Sequence, residues 1–227
     1  MYYSKKLYGS MSSGNLPPQE GLELWVDPSS INGNVWADKS GNGRNGIING
    51  NPIITSEGIT LNGIKESQQF VGFGTFDNFP STENSTISCK IKTNFSGRLY
   101  GIFGKHEYNA SLGRFGFYHL LSNITKARVM QWTSGFNGLK PITDGIWHTL
   151  TLTKNSSNIN NLYIDGILDI SFNSNALNSN SLNLDIGIYR GAGQSLNVDY
   201  FMNGIVQNAF IYDRVLTESE ILQISKL

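Results

Sequence analysis

Residues 145–169 read GIWHTLTLTKNSSNINNLYIDGILD, and this stretch decides the fold class. Ile146, His148, Leu150 and Leu152 alternate with Trp147, Thr149, Thr151 and Thr153. A period of two marks a strand with one buried face. Threonine is β-branched and suits a pleated, partly exposed surface, so the opposite face is strand-like too. A polar run from Lys154 to Asn161 breaks the pattern, and then Leu162-Tyr163-Ile164 meets Ile167-Leu168 across Asp165-Gly166. Asp-Gly between apolar runs predicts a two-residue hairpin, because a type I′ turn needs positive φ at both central positions. The block predicts a long antiparallel meander.

Outward from it, short strands are expected at 22–27, 58–61, 69–73, 86–92, 98–104, 114–121, 127–132, 182–189 and 204–212, with Gly, Asn, Asp or Ser clusters between most of them. Many short strands at such spacing read as a two-sheet antiparallel β-sandwich of the jelly-roll kind. One helix is expected, at the end of the chain. Thr217 can cap it and Glu220, three residues on, can reach back, a capping box that opens Ile221, Leu222 and Ile224. Residues 35–46, VWADKSGNGRNG, crowd turn-forming residue types and predict tight, partly left-handed turns. Residues 1–20 read as an extended arm, kept open by Pro17-Pro18 and by Ser and Gly, and residues 21–227 as a single domain.

The composition narrows the functional classes. In 227 residues, Lys+Arg and Asp+Glu are both 17, and no basic run could neutralise nucleic-acid phosphates or favour a membrane surface. No stretch approaches the roughly 20 apolar residues of a membrane span. Cys89 is the single cysteine, which rules out an intramolecular disulfide and a cysteine-based zinc site, and it reads as a small buried hydrophobe. The N-terminus has basic residues without an apolar run behind them, so no secretory signal is expected.

Three segments in order resemble the laminin-G-like branch of the concanavalin A-like lectin/glucanase superfamily. They are Gly21 to Asp27 with Asp38-Lys39-Ser40-Gly41-Asn42-Gly43, Asp144 to Leu150 leading to Leu162 to Gly166, and Asn203-Gly204-Ile205 followed by Ile211 to Ile221. The resemblance covers about residues 21–227. It implies two packed antiparallel sheets, one of them concave, with ligand loops at the rim. It does not imply one activity, because the fold serves lectins, adhesion modules, glycosidases and virion decorations.

Glucanases of this fold carry a cluster of acidic residues, and a glycosidase needs two carboxylates flanking the bond. This chain has no such cluster. Asp165 and Asp169 come nearest, and Asp165 is committed to a turn. His148 reads as a hydrogen-bonded structural histidine, while His106 and His119 lie in no nucleophile setting. Enzymatic activity is therefore not expected. The resemblance also makes calcium a candidate cofactor, with Asp38 and Asn42 as oxygen ligands. Turn chemistry favours Asx-turns at both positions, and Gln207 stands where many relatives have an Asp, so no metal is expected.

A carbohydrate site in an all-β domain needs exposed aromatic and amide groups near loops, and the candidates are His106, Tyr108, Trp132, Asn137, Tyr189 and Arg190. Trp25, Trp36 and Trp147 are expected in the core. Tyr2, Tyr3, Leu7 and Tyr8, beside Lys5 and Lys6, make the arm a partner-docking segment. The expected function is a non-catalytic lectin-like structural or decoration protein of a virus particle. It would bind glycans or virion proteins and be carried in many copies. The alternative is a free-standing carbohydrate-binding or adhesion module of a cell surface.

Overall fold

The computed structural model describes residues 16–76, 84–95, 99–105, 115–119, 125–131, 134–173, 182–191, 195–198 and 200–227. In chain order the strands are β1 (Leu22–Val26), β2 (Ile31–Asn32), β3 (Val35–Trp36), β4 (Gly46–Asn49), β5 (Ile53–Thr55), β6 (Gly58–Asn62), β7 (Phe70–Thr75), β8 (Ser85–Lys92) and β9 (Tyr100–Lys105). They continue as β10 (Phe115–His119), β11 (Lys126–Gln131), β12 (Ser134–Pro141), β13 (Trp147–Lys154), β14 (Ile159–Ile164), β15 (Ile167–Asn173), β16 (Asn183–Ile186) and β17 (Asn203–Tyr212), followed by helix α1 (Glu218–Ser225).

Two sheets result. The first runs β15-β14-β13-β8-β17-β6-β5, with β1 also on β17; the second runs β12-β11-β10-β9-β16-β7-β4-β3-β2. Every pairing among the described strands is antiparallel. The expected sandwich is thus observed, and its meander is β13-β14-β15. Asp165 and Gly166 have φ of 56° and 80°, the left-handed pair that the hairpin turn requires.

The core lies between the sheets. Ile87, Cys89, Ile91, Leu150, Leu152, Leu162, Ile164, Val206 and Ile211 from the first sheet meet Ile48, Val71, Phe103, Val129, Leu184 and Ile186 from the second. Burial pushes the Cys89 thiol far above its ordinary range, which fits an inert hydrophobe. One edge of the sandwich is closed by side chains. Phe136 of β12 stacks on Phe172 of β15 with ring centroids 4.0 Å apart, and Asp169 of β15 accepts the amides of Leu139 and Lys140.

The structure corrects one expectation about β13. Its threonine face is covered rather than exposed: Thr149, Thr151 and Thr153 are all buried. A second apolar cluster lies on that side of the sheet, in which Ile221 and Ile224 of α1 pack with Trp25, Tyr163, Phe210 and Tyr212. The threonine hydroxyls find partners within this layer, Thr151 with Ser88 at 2.8 Å and Thr149 donating to the Ser225 carbonyl at 3.3 Å. The capping box of α1 forms as expected, with Glu220 and Thr217 each bonding the other's backbone amide. Residues 1–15 of the arm lie outside the described residues. Leu16 packs on the second cluster, and its carbonyl accepts from Gln223 at 2.7 Å.

Candidate functional site

Helix α1 packs on the outer face of the first sheet, and the outer face of the second sheet carries a polar centre of its own. Residues directly opposite in a sheet share a face. Leu184 and Ile186 point into the core, so Asp185 between them points outward. Its cross-strand row runs Ile47, Gly72, Asp185, Gly104, Gly116, Met130 and Gly135. Four of the seven positions are glycine. The row is rich in glycine, which a strand tolerates poorly without a close-approach reason, and Gly104 within it is buried. A side chain at Gly72 would press on Asp185 Oδ1 and the Phe70 ring, its Cβ 3.3 Å from each, so these neighbours would have to yield by a few tenths of an ångström. At Gly135 it would strike the guanidinium of Arg128.

Asp185 is almost fully buried and held at two points by Arg190, Nε to Oδ2 at 2.6 Å and Nη2 to Oδ1 at 2.8 Å. Burial pushes the Asp185 carboxyl up while the guanidinium pulls it down. Arg190 in turn lies over the Phe70 ring at 5.3 Å from its centroid, and Phe70 packs against Phe201. Bidentate pairing fixes both side chains as a plate on the sheet. A carboxylate locked in this way is unavailable as a general acid or nucleophile.

Of the sequence-derived candidates, the structure brings Arg190 and Asn137 to this face. Asn137 is exposed and sits directly opposite Arg128 of β11, two residues along β12 from Gly135. Tyr189 is a correction. It is 3% exposed, edge-on to Tyr200 at 5.8 Å between centroids, and cannot serve as a platform. Trp25 and Trp36 are buried as expected, but Trp147 is only half-buried, with Lys92 Nζ 5.8 Å from its ring centroid. His106, Tyr108 and Trp132 lie outside the described residues, as do Tyr2, Tyr3, Leu7 and Tyr8. The residues flanking those three positions, Lys105 with Phe115 and Gln131 with Ser134, stand in one row adjacent to the glycine row. Sequence reasoning missed the glycines and Asp185.

The other candidate chemistries are spoken for. His148 is 1% exposed and holds Asp165 on Nδ1 at 2.9 Å and Asp144 on Nε2 at 3.0 Å. Asp165 also accepts the Thr149 amide and the Lys140 ammonium. Burial works to raise the Asp165 carboxyl, but the bonds from His148, Lys140 and Thr149 hold it far below the ordinary carboxylate range. The calcium candidates do not fit an ion either. Asp38 accepts four hydrogen bonds, from the amides of Trp25, Ser40 and Arg44 and from the Ser40 hydroxyl. The amide of Asn42 donates to the carbonyls of Leu22 and Glu23. Among the described residues no group of three His, Cys, Asp or Glu side chains converges on one point.

Comparison with known proteins agrees with this geometry. A sequence profile described as the Concanavalin A-like lectin/glucanases superfamily matches residues 65–222. The chain belongs to this superfamily. No curated protein sequence matches it. Solved structures of the superfamily fold resemble it closely in shape and little in sequence. Trypanosoma rangeli sialidase in complex with sialic acid aligns with a TM-score of 0.68 and 16% identity, covering 90% of this chain and 32% of the sialidase. Domain 4 of AbnA, an extracellular arabinanase from Geobacillus stearothermophilus, in complex with arabinotriose aligns at 0.67 and 16%, covering 90% and 98%. The receptor binding domain of botulinum neurotoxin D aligns at 0.68 and 16%, covering 92% and 53%. The chain spans about a third of the sialidase's length. At such identity the likeness concerns the fold.

Proposed function

We propose that this concanavalin A-like domain is a non-catalytic glycan-binding module, and that it lays a sugar chain across the outer face of the second sheet. The observation that carries the reading is the glycine row centred on the Asp185–Arg190 plate. Glycine at these positions limits the side chains that a flat sugar ring would meet over the sheet, and the exposed Asn137 offers hydrogen bonds beside it. The arabinanase domain with bound arabinotriose supports a glycan as ligand for this architecture.

The test is retention on a panel of immobilised polysaccharides, for the full chain and for Gly72→Val. Valine suits a strand and Gly72 has no positive φ, so the backbone accepts the variant, while Asp185 and the Phe70 ring must yield by a few tenths of an ångström. About tenfold weaker retention with a small fall in melting temperature is expected. Equal retention, or no retention of the unaltered chain on any polysaccharide, overturns the reading.

The proposed setting is a virus particle decorated with many copies, docked through Tyr2, Tyr3, Leu7 and Tyr8. Low charge and a single buried cysteine support it. Removing residues 1–15 should abolish attachment to particles and leave melting unchanged. Attachment of the shortened chain refutes the docking role.

A further inference from the structure

The first sheet contains a seam. Strand β17 is paired along one edge by β8, but its other edge is shared by two strands, β1 opposite Ala209 to Tyr212 and β6 opposite Asn203 to Val206. Gln207 and Asn208 fall in the gap between them, paired with neither. A β-bulge between Val206 and Asn208 widens the gap on the β8 side. A cleft of about 500 Å³ opens there, within the size range of ligand sites.

Its lining is unusual in what is left unpaired. Asn208 is 5% exposed and lines the cleft. The side-chain carbonyl oxygen of Gln207 is buried without a hydrogen-bond partner. A buried amide oxygen costs stability unless a partner satisfies it, so this one points to a ligand or water. The rest of the cleft is already balanced. Asp27 accepts from the Lys39 ammonium at 2.6 Å and from the amide and hydroxyl of Ser29, and Lys39 covers one face of the Trp25 ring at 4.1 Å from its centroid. The only carboxylate side chain lining the cleft is therefore neutralised by an ion pair. Lys226 is exposed at the rim, where a charge contributes little.

We propose that this seam is a second binding site, for a single neutral sugar residue. A sugar ring presents hydroxyls that both donate and accept, which suits an unpaired amide oxygen beside a second side-chain amide. The Trp25 ring and Pro28 supply an apolar wall for its CH face. The site is separate from the glycine row, which lies on the other sheet.

The test uses the isotope-labelled full chain and four probes: the methyl glycosides of glucose, galactose and mannose, and N-acetylglucosamine. Nuclear magnetic resonance reads the side-chain amides of Asn208 and Gln207 and the Trp25 indole. At least one sugar should shift all three saturably. Asn208→Leu should weaken that binding by about tenfold. Gln207→Met should weaken it likewise and melt at or above the parent temperature, because it removes a buried oxygen that has no partner. Gly72→Val should leave the shifts intact. Silence of the three signals toward all four sugars overturns the proposal. So does unchanged affinity in Asn208→Leu, or a large fall in the melting temperature of Gln207→Met, which would give the amide to the fold.

Discussion

Replacing Asp165 by Asn tests the arrangement around His148 most sharply, because the expected cost depends on pH. Asparagine tolerates the left-handed backbone of position 165 and can still accept the Thr149 amide, so the hairpin turn survives. What is lost is the negative charge beside a nearly fully buried imidazole and beside the Lys140 ammonium. The hydrogen bond from Asp165 is the first cause that holds His148 above its ordinary value of 6.5, against burial and with help from Asp144. The Lys90 ammonium also feels the Asp165 charge. A histidine whose folded pKa is raised binds its proton more tightly folded than unfolded. Its contribution is complete below about pH 6.5 and is lost as pH rises through the folded value.

Breaking a buried pair costs roughly 3–5 kcal/mol, but Asp165 is a third exposed and Asp144 remains, so about 2 kcal/mol is expected near pH 5.5. For a chain of this size that is roughly 4–8 °C in melting temperature. Once pH has risen through the folded value of His148 the imidazole is neutral, and the loss should shrink to about 1 kcal/mol, the ordinary worth of a hydrogen bond. The assay is urea unfolding of parent and variant across that range, with His148→Gln as the control in which the pH dependence disappears. A loss that is equal at both ends, or larger at high pH, refutes the reasoning.

Two further outcomes follow from the same contacts. Arg214 holds the Glu220 carboxyl down to about 2 from its ordinary 4.5, so its stabilisation is present above 4.5 and is lost as pH falls through the folded value. Glu220→Gln should cost about 1 kcal/mol at neutral pH and nothing near pH 2, as unfolding curves would show. The purified chain should release no reducing ends from a broad polysaccharide panel, because Asp165, Asp169 and Asp185 are all engaged. Turnover that disappears in Asp185→Asn would show that the plate opens for catalysis.

What the sequence determined by itself were the features whose causes lie within a few residues. The alternation of β13 set the buried face of Leu150 and Leu152. Asp165-Gly166 made its turn, Thr217 and Glu220 capped α1, and Asp38 bonded the backbone of its own loop. In each, a side chain and its partner are neighbours along the chain or along one strand, so the pattern carries the geometry.

The tertiary structure decided what depends on distant partners. Residues 134–141, SGFNGLKP, belong to none of the strands expected from the sequence, yet they form strand β12, to which Asp169 and Phe172, some thirty residues on, supply bonds and packing. The threonine face of β13 is buried only because α1 arrives from the far end of the chain. Tyr189 looked like a rim aromatic until Tyr200 packed against it. Gly72, Gly104, Gly116 and Gly135 each read alone as a weak point in a strand, and the register of six antiparallel strands puts them in one row with Asp185. Register is a collective property of paired backbones. It fixes which residues share a row, and no single segment encodes it.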